Sequence, residues 1–393
     1  MALSKTVKRL LQPITRRHGF FYEGFVGTRA GLCVNIVGSH TSMNSRTTSI
    51  ATDDIRALKI AYANFYMNGA VEIGSGSPAI VSASVEYPSG VFTQIPFVGG
   101  QSSGTVASGA TLISDYSRVS IPRGATFWIR MFVQNASGVY YNTWDNGAGG
   151  DLINSGNGLS DLTMGGSISD DGTFSAPPFA IIGMTSKASV LILGSSVIRG
   201  YNDDGTISDF RKGMIAKSFP TDLAFVNLAG DGASGGAWIG SDNGRKALYP
   251  YASHAVFELT AVDITNGVSV VAVESVLQSL YQLFGPNVRK TQMTSWARSG
   301  SSDGWATAGN QTVETNNSHR VSLNTDLRAG NFPFLNNGIY EVAWAIENSH
   351  DDGKWAVDGT ANKYTADGTH PTVAGYDRIV SSGAVDTARL HYP

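Results

Sequence analysis

The chain holds a single cysteine, Cys33, among 393 residues. One thiol excludes an internal disulfide framework and a cysteine-built zinc site. Charge is scarce as well: Asp, Glu, Lys and Arg together make 15% of the residues, against about 25% in ordinary soluble domains. The net charge of −3 supplies no one-signed field, so neither nucleic acid nor a membrane surface is expected as a partner. No apolar run approaches the roughly 18 residues of a membrane span. Residues 1–19 carry Lys5, Lys8, Arg9, Arg16, Arg17 and His18 around no long apolar centre, which predicts synthesis without a Sec signal. Gly235-Gly236 and the Gly147–Gly150 stretch lack the lysine and the strand-to-helix setting of a phosphate loop. Asp203 and Asp204, with Asp351 and Asp352, read as solvated loop carboxylates rather than a cation site. Neither a metal nor a cofactor is expected.

Glycine is abundant instead, at 46 residues, and it punctuates two regions of different periodicity. Residues 1–30 form a basic arm in which Leu3, Val7, Leu10 and Leu11 lie near helical spacing until Pro13. Residues 31–180 are β-rich, with strands expected over 57–66, 79–87 and 126–133 between Gly, Pro, Asn and Ser turns. Short strands without intervening helical patterns predict an antiparallel sandwich, a jelly roll among the candidates. Residues 145–173 read as a long loop. From 186 to 393 strands at 190–193, 223–227 and 255–259 alternate with helical stretches at 270–281 and 318–327. Later strands are expected at 292–296 and 341–346. That alternation predicts a parallel sheet covered on both faces, an α/β three-layer domain. The boundary is expected between Thr173 and Ser189, where Pro177-Pro178 stiffens the connection, so that a fragment from about residue 180 should fold alone.

The chemistry-bearing residues cluster in the second region. Val190-Leu191-Ile192-Leu193 runs into Gly194-Ser195-Ser196, a buried strand ending in a turn of small residues, where open α/β sheets place their ligands. Near the C-terminus Asp367-Gly368-Thr369-His370 sets an acid three residues before a histidine. A serine, an imidazole and a carboxylate are what acyl transfer through a covalent intermediate needs.

At these residues the sequence resembles the SGNH, or GDSL, family of serine ester hydrolases. Gly194-Ser195-Ser196 stands at the family's Gly-Asp-Ser block, Asn227 to Ser234 at its second block, Thr260 to Asp263 at its third, and Asp367 with His370 at its Asp-x-x-His block. The resemblance covers the last half of the chain. It implies Ser196 as nucleophile, His370 as base and Asp367 as its partner, with the backbone N–H groups of Ser196 and Gly232 in the oxyanion hole. Three positions depart from the family: Ser195 for an aspartate, Thr260 for a glycine, and Val262 for the asparagine that gives the third oxyanion donor. Asn266, four residues on, is the substitute donor if its loop turns inward. The function implied is deacylation of a polysaccharide, with an acylated carbohydrate or another ester as the substrate partner and the β-region making substrate or assembly contacts. The competing reading is a structural or adhesive virion-fibre protein with a degenerate SGNH fold, homo-oligomeric through its N-terminal region. The low charge, Val262 and the basic start favour it. Trp238, Trp296, Trp305, Trp344 and Trp355 read as core or rim packing, with a sugar-binding cleft as the alternative.

Overall fold

Apolar runs without polar alternation become strands buried on both faces. Ser189–Leu193 and His254–Phe257 are buried at every position, as the centre of a parallel sheet requires. In the computed structural model, which describes residues 21–32, 35–36, 39–141, 150–170, 175–203, 211–241 and 243–390, five parallel strands form one sheet. Their spatial order is Ala224–Asn227, Ser189–Leu193, His254–Phe257, Arg289–Met293 and Ile339–Tyr340. The winding therefore reverses at Ser189–Leu193, and the carboxyl ends of that strand and of His254–Phe257 flank the crevice that such a reversal opens.

Helices follow from apolar spacing. Helix Val270–Gln282 buries Val273, Leu277, Leu280 and Tyr281 on one stripe, and Ser269 caps its start by accepting from the Ala272 N–H. Helix Asn317–Ala329 buries Leu323 and Leu327 and ends at Gly330 with φ +76°, the left-handed cap glycine permits. Leu191 and Leu193 pack into a cluster with these helices, while Val190 and Ile192 pack with Val197, Ile198, Met214, Tyr376 and Ile379.

The upstream residues form two antiparallel sheets. One runs Tyr22–Phe25, Ala180–Thr185, Ile55–Ala63, Thr111–Ile113, with Ser117–Ile121 also on Ile55–Ala63. The other runs Leu152–Gly156, Ser42–Ile50, Thr126–Asn135, Ala79–Glu86, Phe92–Ile95, with Ser103–Val106 also on Ala79–Glu86. A shared cluster including Leu58, Ile60, Val81, Val85, Phe127, Ile129 and Val133 lies between them.

Several sequence expectations change. Residues 341–346 are not a strand: the edge strand is only Ile339–Tyr340, and Val342–Ile346 is a helix that buries Val342, Ala343 and Ile346 at helical spacing. The 145–173 stretch contains strand Leu152–Gly156, paired to Ser42–Ile50. Tyr22–Phe25, assigned to the N-terminal arm, and Ala180–Thr185, placed at and beyond the boundary, pair with each other in the first antiparallel sheet. Asp203 is buried and bonded to the Gly213 N–H and to Lys217, so it is an internal ion-pair member and not a solvated loop carboxylate. The helical spacing of residues 3–11 and Cys33 lie outside the described residues. Among the described residues, no helix is long and apolar enough to cross a membrane.

The two regions are joined by packing. Phe25, Ala61, Phe65, Met67, Phe179 and Ile182 from the antiparallel side enter one cluster with Leu191, Leu228, Trp238, Leu248 and Phe257. A hairpin of Phe65–Asn68 and Val71–Gly74 carries Glu72, whose carboxylate accepts from the Gly244 N–H at 2.6 Å, the Arg245 N–H at 3.0 Å and Arg245 Nε at 2.8 Å. Arg245 is fully buried and Glu72 nearly so. Removing one member of a buried pair strands the other, so Glu72→Ala should cost about 3–5 kcal/mol in denaturant unfolding. Parallel-sheet and antiparallel-sheet probes should then shift together, and a fragment beginning at residue 186 should fail to fold, because its core face would be open. Separate transitions, or a stable fragment, would disprove this coupling.

Candidate active site

The turn that carries Ser196 is shaped by crowding. A Cβ on Gly194 would lie 2.3 Å from Ile198 and 3.2 Å from Glu258, so only glycine fits where the strand leaves the sheet. Ser195 stays extended and Ser196 opens the short helix Ser196–Arg199, with the Ile198 and Arg199 N–H groups donating to Ser195 O at 3.1 and 3.2 Å. Asn227, at the end of the neighbouring strand, donates through Nδ2 to Ile198 O at 2.9 Å. That bond fixes the helix against the sheet.

From there Ser196 Oγ reaches His370 Nε2 at 2.8 Å, and His370 Nδ1 lies 2.7 Å from Asp367 Oδ2. The turn that brings them together is pinned on several sides. Thr365 Oγ1 donates to His370 O and accepts from the Gly368 N–H. Trp296 and Trp355 donate their indole N–H groups to Thr369 O and Gly368 O, at 3.0 and 2.9 Å. Gly368 has φ +73°, and a Cβ there would sit 1.8 Å from Ser299 O, so no other residue can take this position. Asp367 is drawn two ways. Burial pushes its pKa up, but the His370 and Thr369 N–H groups and the imidazole outweigh that and hold it below the ordinary carboxylate value. With Asp367 ionised beside Nδ1, a neutral imidazole keeps its proton there and presents Nε2 as the acceptor for the serine hydroxyl.

Gly232 lies in the turn after strand Ala224–Asn227 at φ +65°. The turn is fastened to the nucleophile side by the Gly230 N–H on Gly194 O at 3.1 Å and by an Arg199–Asp231 ion pair at 2.8 Å. Asp263, at the third block, accepts from the Gly235 N–H at 2.7 Å and fastens the far side. The N–H groups of Ser196 and Gly232 donate to no acceptor among the described residues. Val262 is half-buried in helix Ala261–Thr265, and Asn266 is exposed at that helix's C-cap. Thr260 is buried, and its hydroxyl has no partner among the described residues.

Some functional neighbours were not singled out from the sequence. Tyr201 packs on the His370 ring with centroids 4.6 Å apart, and Tyr376 donates to Tyr201 O at 2.8 Å. Glu258 ends the apolar strand His254–Phe257 and accepts from the Ser195 N–H at 2.7 Å. A carboxylate following the adjacent strand thus meets the turn that carries Ser196. Its signal was present: it is the lone acid in the apolar run 255–259. Trp238, Trp296 and Trp355 are core side chains, and two of them hold the histidine turn.

Comparison with solved structures gives loose likenesses. A lipase/acylhydrolase from Enterococcus faecalis is 17% identical over 52% of this chain and 98% of its own, with a TM-score of 0.36. A lipolytic G-D-S-L family member from Veillonella parvula is 15% identical over 51% and 98%, at 0.35. A peptidoglycan O-acetylesterase is 10% identical over 93% and 82%, at 0.38. No protein-family profile and no curated protein matches the chain. Likenesses this loose carry no mechanism, which rests on the chain's own side chains.

Glu258 is sealed from solvent, and burial raises its pKa above the usual 4.5, against the lowering pull of Ser195 and Arg298. A raised folded-state value means that its contribution to stability is complete below about 4.5 and is lost as pH rises through the folded pKa. Glu258→Gln, which cannot ionise, should therefore gain stability relative to the parent between pH 5 and 8 in urea unfolding. Glu258→Ala should lose about 1–3 kcal/mol throughout, because the Ser195 amide loses its acceptor. Equal pH slopes for parent and Glu258→Gln would contradict a raised pKa at this site.

Proposed function

We propose that the chain is a serine ester hydrolase of SGNH type acting on an O-acylated saccharide. In this reading the α/β part is a three-layer domain and the two antiparallel sheets form a sandwich that contacts substrate or an assembly. The observation that carries the catalytic part is the continuous relay Ser196 Oγ, His370, Asp367, with links of 2.8 and 2.7 Å. Both links are within direct proton-transfer reach.

Ser196 Oγ attacks the ester carbonyl while its proton passes to His370 Nε2, and Asp367 stabilises the imidazolium that forms. The carbonyl oxygen gains the negative charge and faces the Ser196 and Gly232 N–H groups, both free of acceptors among the described residues. His370 then protonates the departing alcohol oxygen. Water, deprotonated by the same imidazole, attacks the acyl-serine; the acid leaves and Ser196 regains its proton. Val262 gives no third donor, and the exposed Asn266 sits one turn beyond it.

Ser196→Ala should abolish turnover of an activated acetate ester and labelling by a fluorophosphonate. Asp367→Asn should cost roughly 10⁴-fold in kcat, the scale seen when a triad imidazole loses its carboxylate. Val262→Asn should raise turnover by roughly one to two orders of magnitude, since a missing oxyanion donor costs about 10²–10³ and Thr260 crowds the new amide. If Asn266→Ala removes the activity while Val262→Asn leaves it alone, Asn266 is the third donor. Absence of any serine-dependent turnover or labelling in the parent would favour the structural, fibre-type reading.

A further inference from the structure

The chain buries its arginines with partners. Arg29, Arg130, Arg245 and Arg320 each have a carboxylate oxygen, at 2.6, 2.9, 2.8 and 2.5 Å respectively. Arg298 does not. Its Nη1 donates to Thr265 Oγ1, its Nε is sealed from solvent without an acceptor, and its guanidinium stands 5.9 Å from the Trp296 ring centroid. Glu314, Glu258 and Asp367 act on it electrostatically, yet none comes within the 4.0 Å of an ion pair. A largely desolvated guanidinium whose acids all stand beyond ion-pair distance is only partly compensated, and a closer carboxylate would complete the compensation.

Its location suggests what that is. Trp296 and Ser299, on either side of it in the chain, bond to Thr369 O and Gly368 O of the histidine turn. Its side chain reaches from there to Thr265, on the same helix as Val262 and one turn along. The side chain therefore links the segment that holds the histidine turn to the third-block helix. With Nη1 committed and Nε closed off, little of the fork remains to bind a ligand. The carboxylates of Asp367 and Glu314 repel a doubly charged group. These conditions fit a single carboxylate better than a phosphate.

We propose that Arg298 is the specificity residue of the crevice and takes a carboxylate carried by the saccharide, so that the substrate is an acidic O-acylated sugar such as a uronate. This rests on the ester-hydrolase reading. The test compares the acetylated methyl glycosides of glucuronate and glucose, which differ in one carboxylate. The parent should prefer the glucuronide. Arg298→Gln should lower the ratio of kcat/KM for glucuronide over glucoside about ten- to a hundredfold, mainly through KM, and Arg298→Lys should restore part of it. Equal loss of kcat on both substrates would make Arg298 an oxyanion donor and overturn the proposal. An unchanged ratio would also overturn it, and would leave the guanidinium balanced within the fold by Glu314. Calorimetry separates this from failure of the hydrolase reading. If the parent cleaves neither ester, methyl glucuronide should still bind Ser196→Ala and lose affinity in Ser196→Ala/Arg298→Gln. Equal affinities in those two proteins would refute the carboxylate site itself.

Discussion

The hydrogen bond from His370 Nδ1 to Asp367 is the constraint on which the rest of the crevice depends. It spans only three residues, so its geometry is decided by the backbone of one turn rather than by the meeting of distant elements. Such a turn is floppy on its own. Here it is held by two buried indoles, by Thr365 and by a glycine that closely faces Ser299 O. The tryptophans fill the core below and end in N–H groups that need acceptors, and the turn's carbonyls supply them. Core packing and orientation of the imidazole are thus one arrangement. A change at Trp296 or Trp355 would be felt at His370 without altering any reacting group.

The nucleophile side has a different kind of support, and part of it comes from the antiparallel region. A Cβ on Gly230 would lie 1.9 Å from Gly69 O, at the tip of the hairpin 65–74. That tip, through Ala70 O, also accepts from Ser241 and Arg245. The turn carrying Gly232 is therefore pressed between the hairpin and the strand that ends at Gly194. An appended module would leave the turns carrying Ser196 and Gly232 intact if removed. These contacts instead make the antiparallel sheets part of what fixes Gly232 against Ser196.

The sequence was most legible where one local signal dominated. Val190–Leu193 is a strand because it is uniformly apolar, and helix 270–282 follows from its stripe and its serine cap. Residues 341–346 misled because Val, Ala, Trp and Ile suit a strand or a buried helix equally over so short a run. Ser42–Ile50 carries no apolar alternation, yet it is a central strand whose polar side chains are internally bonded: Ser42 to Gly156 O, Asn44 to Ser160 O, and Ser49 to the Thr28 N–H. Those bonds join residues more than twenty positions apart, and no local pattern announces them. The same holds at the site. Ser196, Asp367 and His370 stand out by their spacing, whereas Glu258 and Arg298 are single charged residues whose roles appear only when adjacent strand ends meet.

The scarcity of charge bears on that difference. With only 15% charged residues, the chain nonetheless places ion pairs at its least solvated junctions: Arg29 with Asp151, Arg245 with Glu72, Arg320 with Glu347, and Glu86 between Arg46 and Arg130. Buried pairs contribute little net stability compared with apolar packing, but breaking one is costly, so they hold a unique arrangement more than they deepen it. Each pair joins segments distant in sequence, as expected of charges that fix how strands and turns are registered. A cation outside this scheme conflicts with the rest of the interior and is a candidate for function rather than folding. In the crevice two groups depart in this way, the acid Glu258 beneath the nucleophile turn and the unpaired Arg298 beside it. Glu258 is met by the Ser195 N–H, and burial raises its pKa. Arg298 keeps its charge, since an arginine pKa lies too far above neutrality to be brought down by burial of this degree, and the acids of the fold that act on it, Glu314, Glu258 and Asp367, all stand beyond ion-pair distance, so a closer carboxylate is what the proposed site would add.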